Sequence, residues 1–215
     1  MELRNGYDIQ ILYAGLRDCC ETLKYYNSLV ALPYGNLMHK DQKRKGGDPY
    51  YIHPLTMAHG AFNLDLQSDE MIAAILLHDV LEDCNQKREE LPVDENIREI
   101  VSLLTFVRNP DQTKEQDLFQ YYSKIKYNFF ATFAKFLDRR HNLSTMRGAF
   151  SFEKMGNYLI ETMQFIYPLL EEAESRYPKY QIQSSILRND IYHLVHDTEI
   201  ILPEDIKRRV KQQVA

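Results

Sequence analysis

SDEMIAAILLHDVLEDC, residues 68–84, decides how the rest of the chain is read. Seven consecutive apolar residues, Met71–Leu77, follow a serine and two acids. Ser68 is a good N-cap, and Asp69 and Glu70 complement the positive end of a helix in its first turn. The run is far shorter than the ~20 residues of a membrane span, so it predicts a helix in a protein core. Four ionisable side chains, His78, Asp79, Glu82 and Asp83, crowd its end. On one continuous helix His78 and Glu82 stand at i, i+4, as do Asp79 and Asp83, giving two adjacent stripes on one face. Ionised groups at a buried helix end need partners or a cation. Imidazole with carboxylate suits a divalent metal such as Mn²⁺, Fe²⁺ or Zn²⁺. Two neighbouring residues do not fill a coordination shell, so other ligands must come from elsewhere in the chain.

Outward from this stretch, apolar residues recur at helical spacing in most segments, and no β alternation stands out. The pattern predicts a first helix over about 7–30, a short one near 34–42, and the loop KRKGGDP. Pro54 reads as the first position of a helix reaching about 65. PVDENIREIVSLLTFV reads as another helix. Residues 114 to about 147 hold two, the second carrying FFATFAKFLDRRHN; further helices follow at 151–176, 181–199 and 203 to the end. With no linker, repeat or low-complexity segment, residues 1–215 are expected to form one all-α domain.

Composition narrows the function classes. The chain of 215 residues is 44% hydrophobic and 27% charged, ordinary for a globular protein with a sizeable core. A net charge of −5 argues against nucleic acid as a partner. No apolar run approaches a membrane span, and the start, MELRNGYDIQ, has no signal-peptide pattern. Three cysteines, Cys19, Cys20 and Cys84, form no C-x-x-C and no even set. That fits a reducing, cytoplasmic setting. Cys19 and Cys20 are expected in the core, and Cys84 packed or partly exposed.

By default a His-Asp dipeptide is a helix end with solvated acids, and the chain carries its own control. HLVHDTE holds a second dipeptide, His196-Asp197, also on an amphipathic helix and with His193 nearby. What separates the two is the remainder of the constellation. HKDQKRKGGDPYYIHPLTMA puts His53 between a glycine-proline loop and a helix start, and KFLDRRHNLSTM puts Asp138 in an apolar helix. In order these read H…HD…D, the signature of HD-domain metallophosphohydrolases.

The resemblance is closer than the superfamily. The first segment is similar to AH-x-x-Q-x-RKSGEPY-x-x-HP-x-x-VA of the RelA/SpoT-homologue alarmone hydrolases. AAILLHDVLEDC resembles their A-x-LLHD-x-x-EDT, KFLDRRHNLSTM their K-x-ADR-x-HN-x-x-T, and ETMQFIYPLL their ET-x-x-IYAPLA. These matches keep order and separation across about residues 39–170. The resemblance implies an HD-domain helical bundle with extra N- and C-terminal helices, the C-terminal extension covering 171–215. It implies His53, His78, Asp79 and Asp138 as ligands of one divalent ion, Mn²⁺ with Zn²⁺ or Fe²⁺ as alternatives. Glu82 and Asp83 align with an acidic pair that handles protons and positions the attacking water. Arg44 and Lys45 align with a basic loop that grips the nucleotide, and Asn142 and Thr145 with positions that contact the nucleoside.

The implied activity is hydrolysis of the 3′-pyrophosphate of (p)ppGpp to GDP or GTP and pyrophosphate, with a small-molecule nucleotide as the partner. Departures from the pattern are Gly46 for Ser, Asp48 for Glu, Cys84 for Thr and Leu137 for Ala. They leave two alternatives: an HD phosphohydrolase acting on ppApp, NADPH or a nucleotide monophosphate, and a non-catalytic nucleotide-binding regulator. Which of Glu82 and Asp83 is the acid, and the oligomeric state, stay open at this level. His39, His59 and His141 are expected to pack or hydrogen-bond rather than bind metal.

Overall fold

The computed structural model describes residues 8–214. Twelve α-helices account for most of them: α1 Ile9–Leu23, α2 Tyr26–Met38, α3 Ile52–Asn63, α4 Asp69–Leu77, α5 Val80–Asp83, α6 Glu95–Leu104, α7 Lys114–Ile125, α8 Phe129–Thr145, α9 Phe152–Glu161, α10 Tyr167–Arg176, α11 Gln181–Ile201 and α12 Glu204–Val214. Among the described residues the nearest thing to β structure is one isolated bridge, Lys43 to Pro49. The chain forms two compact units, Met1–Lys135 and Phe136–Ala215, whose boundary falls within α8.

In the first unit α2 and α3 pack on α4, α1 packs on α2 and α3, and α6 lies between α4 and α7. The centre is α4: every residue from Met71 to Leu77 is buried. A helix apolar on all sides belongs inside. Ser68 caps it as expected, its hydroxyl accepting from the Met71 amide at 3.2 Å.

Three boundaries differ from the sequence expectation. The first helix breaks at Lys24, which takes a left-handed conformation (φ 58°). Position 7, its expected start, lies outside the described residues. The new helix, α2, owes its start to a residue far away in sequence. Asp69, in the first turn of α4, accepts from the Asn27 and Ser28 amides at 3.0 and 2.7 Å. It accepts from the Ser28 hydroxyl at 2.7 Å as well. A carboxylate satisfies the orphan amides of a helix N-terminus; here it is borrowed from another helix, so local reading cannot find it. α3 starts at Ile52, two residues before Pro54, which stays within the first turn where its missing N–H costs nothing. The 68–84 segment is not one helix. α4 ends at Leu77, His78 and Asp79 form a break, and α5 is a single turn.

Gly35 allows α2 to approach α4 closely. A Cβ there would stand 2.6 Å from the Leu76 carbonyl oxygen and 2.8 Å from the Tyr51 hydroxyl. That hydroxyl donates to the Leu32 carbonyl at 3.0 Å, so the tyrosine is not free to move aside. The loop after α2 closes as a tight turn, with Arg44 N donating to Asp48 O and Gly47 N to Arg44 O, both at 2.8 Å. Gly47 takes φ +98°, a region side chains avoid.

In the second unit α9 packs against α11 and α12, and α10 against α11. α9 and α10 are joined by a π-helical turn, Thr162–Ile166. No helix among the described residues is long and apolar enough to cross a membrane.

Gly35→Ala is expected to destabilise the fold by about 1–3 kcal/mol, the usual cost of overpacking. Urea unfolding followed by circular dichroism checks it; an unchanged midpoint would show that the α2–α4 contact is looser than described.

Candidate active site

α4 carries no polar side chain after its first turn, so its first opportunity for chemistry is where it ends. There His78 turns its Nδ1 to the Ile75 carbonyl at 2.8 Å. A carbonyl only accepts, so Nδ1 carries the proton and Nε2 keeps its lone pair. Nε2 lies 2.8 Å from Asp79 Oδ2. His53, in the first turn of α3, brings its Nε2 to 4.0 Å from the same oxygen. The two imidazole rings sit edge to face with centroids 5.1 Å apart. One ligand atom of each lies within 4.8 Å of the other. Both histidines are buried. Two buried imidazoles and a partly exposed carboxylate converge in a His/Asp site suited to a divalent ion. The tautomer lock on His78 is the kind of outer hydrogen bond that orients a metal-binding imidazole.

The break after Leu77 has a chemical result. Asp79 adopts φ −101° and ψ −2°, off the helical path, and its carboxylate also receives the Tyr50 hydroxyl at 2.5 Å. Sequence reading gave Tyr50 no role, although it stands three residues before His53. Its ring stacks on His39 with centroids 4.5 Å apart, and the Arg44 guanidinium lies 5.6 Å from the ring centre. Burial and the adjacent Asp79 push the Tyr50 phenol far above its ordinary range, so it acts only as a donor. His39 behaves as expected: buried, with Nδ1 at 2.7 Å from Gln42 Oε1, its pKa lowered chiefly by desolvation.

Glu82 and Asp83 lie on the short α5 and are exposed as residues, though their carboxyls are partly desolvated. The Phe106 amide donates to Glu82 Oε2 at 3.0 Å, and Gln42 Nε2 donates to the Asp83 carbonyl at 3.0 Å. Both carboxyls are raised above their ordinary values. Desolvation is the larger cause in each, with Asp79 adding to it; the Phe106 amide opposes the rise at Glu82 and a Tyr50 hydrogen bond at Asp83. Phe106 carries no motif signal, because it is recruited from another element; Gln42 stands at the Q of the AH-x-x-Q stretch, but the motif gives it no role by itself.

Asp138 and Asn142 belong to the second unit. Asp138 is buried on α8, and Asn142 Nδ2 donates to its Oδ1 at 2.5 Å. The Thr145 hydroxyl donates to the His141 carbonyl at 3.0 Å. The neighbouring Arg139 is fully enclosed. It donates to Glu161 at 2.6 Å and to the Thr162 hydroxyl at 3.1 Å, and its guanidinium lies 4.0 Å from the Tyr158 ring centre. This accounts for the Glu161-Thr162 pair picked out in the sequence: it holds the arginine beside Asp138. The control dipeptide is different. His196 and Asp197 are exposed on α11, and Asp197 lies 3.6 Å from Arg147. His59 uses Nε2 on the Leu12 carbonyl at 2.9 Å and simply packs α3 on α1.

The HD-domain family model matches residues 31–146, more than half of the chain. The chain belongs to the HD-domain family. Within this HD protein the matched stretch holds every candidate ligand named above. The chain is 33% identical over 147 residues to the GTP pyrophosphokinase rsh of Brucella melitensis, covering 65% of this chain and 19% of that protein. Against the guanosine-3′,5′-bis(diphosphate) 3′-pyrophosphohydrolase of Aquifex aeolicus the identity is 33% over 148 residues, covering 65% of this chain and 20% of the other. The enzyme of that name from Borreliella burgdorferi is 36% identical over 129 residues, covering 54% and 18%. The chain thus spans about a fifth of the length of the curated relatives it matches. A solved metazoan orthologue of SpoT, described as hydrolysing ppGpp, superposes with a TM-score of 0.63 at 16% identity, covering 80% of this chain and 95% of that one. At that identity the likeness is one of fold, an all-α bundle.

The cysteines sort differently from the expectation. Cys20 is buried as expected, but Cys19 is exposed. Neighbours on a helix point ~100° apart, so only one of them faces the core. Burial raises the Cys84 thiol, with Asp83 adding to the rise, and burial pushes Cys20 up to about 12. A raised thiol pKa means less thiolate at neutral pH and slower alkylation. Iodoacetamide mapping by mass spectrometry at pH 7.5 should find Cys19 labelled first, Cys84 slowly and faster as pH rises, and Cys20 only on unfolding. Prompt labelling of Cys84 would contradict its packing, with Sγ 3.5 Å from His39 Nδ1.

Proposed function

We propose that this HD protein is a metal-dependent phosphohydrolase that removes the 3′-pyrophosphate of (p)ppGpp, giving GDP or GTP and pyrophosphate. The reading rests on family membership, on relatives named for this reaction, and above all on one observation. Two buried imidazoles and the Asp79 carboxylate converge close to an acidic pair whose pKa values are raised. In this reading His53, His78, Asp79 and Asp138 hold the ion, Mn²⁺ first, with Zn²⁺ or Fe²⁺ as alternatives. A divalent ion there would neutralise phosphate charge and lower the pKa of its bound water.

The chain's own residues do the rest. The Ile75 carbonyl keeps His78 in the tautomer that offers Nε2. Tyr50 draws charge from Asp79 and fixes its rotamer. Glu82 and Asp83, one turn beyond, are placed for proton transfer. Raised carboxyl pKa values bring such groups nearer the operating pH, which improves an acid or base. Water adds to the phosphorus carried on the ribose 3′ oxygen, and the P–O3′ bond breaks. One member of the pair takes the proton from the water, and the other returns one to the departing 3′ oxygen. Arg44, supported on the Tyr50 face, and Lys45 meet the anionic substrate, and Asn142 and Thr145 meet the nucleoside. Asn142 would do so while tied to Asp138, which links the sugar end to a proposed ligand.

Purified protein with Mn²⁺ and ppGpp should release GDP and pyrophosphate, with ppApp, NADPH and nucleotide monophosphates as parallel substrates. Faster turnover of one of these would reassign the substrate. No turnover of any, with metal bound, would leave a binding protein. Glu82→Gln and Asp83→Asn are expected to keep metal and lower kcat by roughly 10²–10⁴. Tyr50→Phe, which keeps the ring and loses the donor, should weaken Mn²⁺ binding by roughly 10–100-fold in a calorimetric titration. Arg44→Ala should act mainly on KM. Near-wild-type turnover in both acid variants would reduce the pair to a solvated helix end.

A further inference from the structure

α2 is apolar on two opposite faces. Ser28, Ala31, Leu32 and Gly35 are buried against the first unit. Tyr26, Val30 and Leu37 are exposed by 69, 46 and 54%, and Pro33 is exposed with them. At ~100° per residue these four fall within an arc of about 60°, opposite the buried face. Leu29 and Tyr34, partly exposed, flank the stripe on either side. From Tyr26 to Met38 the helix has no charged residue. The polar residues Asn27 and Asn36 lie off this stripe, so an uninterrupted apolar face is left in solvent. The exposed apolar area is on the order of 400 Å², the size of the largest patch on a typical monomer, which is often functional.

We propose that this face pairs with α2 of a second copy of the chain. Three features select a copy of itself over another partner. The spacing 26, 30, 33, 37 is a 4-3-4 seam, the pattern by which two helices mesh along one stripe. Run antiparallel about a twofold axis, the seam is self-complementary: Tyr26 meets the partner's Leu37, and Val30 meets the partner's Pro33. Antiparallel helices also oppose their dipoles favourably. Then there is charge. Two copies each carrying a net charge of −5 repel, and an uncharged contact face is where that repulsion is weakest. A charged peptide or nucleic acid would find nothing on this face to recognise.

The patch is about half of the ~800 Å² per partner of a standard stable complex. The pairing is therefore reversible, with a dissociation constant on the order of micromolar. α2 runs directly into His39 and the Arg44 loop, so pairing would also brace the segment that carries Tyr50.

Sedimentation velocity from about 1 to 200 μM measures it. Wild type should shift from monomer toward dimer over this range. Leu37→Lys and Val30→Glu replace exposed side chains, so each should keep the wild-type circular dichroism spectrum and melting temperature. Each should also weaken association at least tenfold. Ile182→Lys, an exposed apolar change outside α2, is the control and should leave association unchanged. A wild type that stays monomeric at the highest concentration, or α2 variants that dimerise as wild type does, would overturn the proposal.

Discussion

The full burial of α4 governs what the first unit can do. Met71–Leu77 offers no polar atom beyond a backbone already engaged in its own helix, so the core is closed to water along this length. Any chemistry has to begin where the helix ends. The backbone leaves its helical path at that point, and His78 and Asp79 emerge in two directions rather than along one face. The break is what lets Asp79 reach both imidazoles and the Tyr50 hydroxyl with a single carboxylate oxygen. On an unbroken helix, residues 78 and 82 would have shared one stripe and residues 79 and 83 the stripe beside it. Instead α5 carries Glu82 to the Phe106 amide and leaves Asp83 beside Tyr50.

The N-terminal end of α4 is equally committed. Asp69 serves as the N-terminal cap of α2, and Asn27 reaches from the same place to Asp94 at the start of α6, with bonds of 3.0 Å in each direction. Three helix starts are therefore tied by carboxylates and amides in one cluster. Gly35 and Tyr51 lock α2 to α4 further along. α2 in turn delivers the loop whose Arg44 rests near Tyr50. Rigid support of this kind is what a site needs when its groups must hold position within about half an ångström.

Cys84, where the alarmone hydrolases it resembles carry threonine, sits against the His39 ring, with Sγ 3.5 Å from Nδ1. Gln42 contacts the same sulfur and also holds the Asp83 carbonyl. The departure is thus absorbed in packing behind the acidic pair. Gly46 lies in a loop where an added Cβ would meet open space, so glycine is not required there by sterics. Neither change alters a donor atom facing His53 or His78.

Local signals in the sequence were enough to decide the helical class, the Ser68 cap and the buried run of α4. These follow from periodicity and from a side chain that caps its own helix. Tertiary structure alone decided the break at Lys24, because the carboxylate that caps α2 is Asp69, forty-odd residues away. It alone decided the split of the 68–84 segment and the sharing of Asp79, since no local residue breaks that helix. It also gave roles to Tyr50 and Gln42, which the motif marks without saying what they hold, and brought in Phe106, which no motif marks: folding places a hydroxyl, an amide and a backbone N–H against the acids. A side chain's partner at short range is written in spacing; its partner across the core depends on how helices pack, and that is settled by three-dimensional fit.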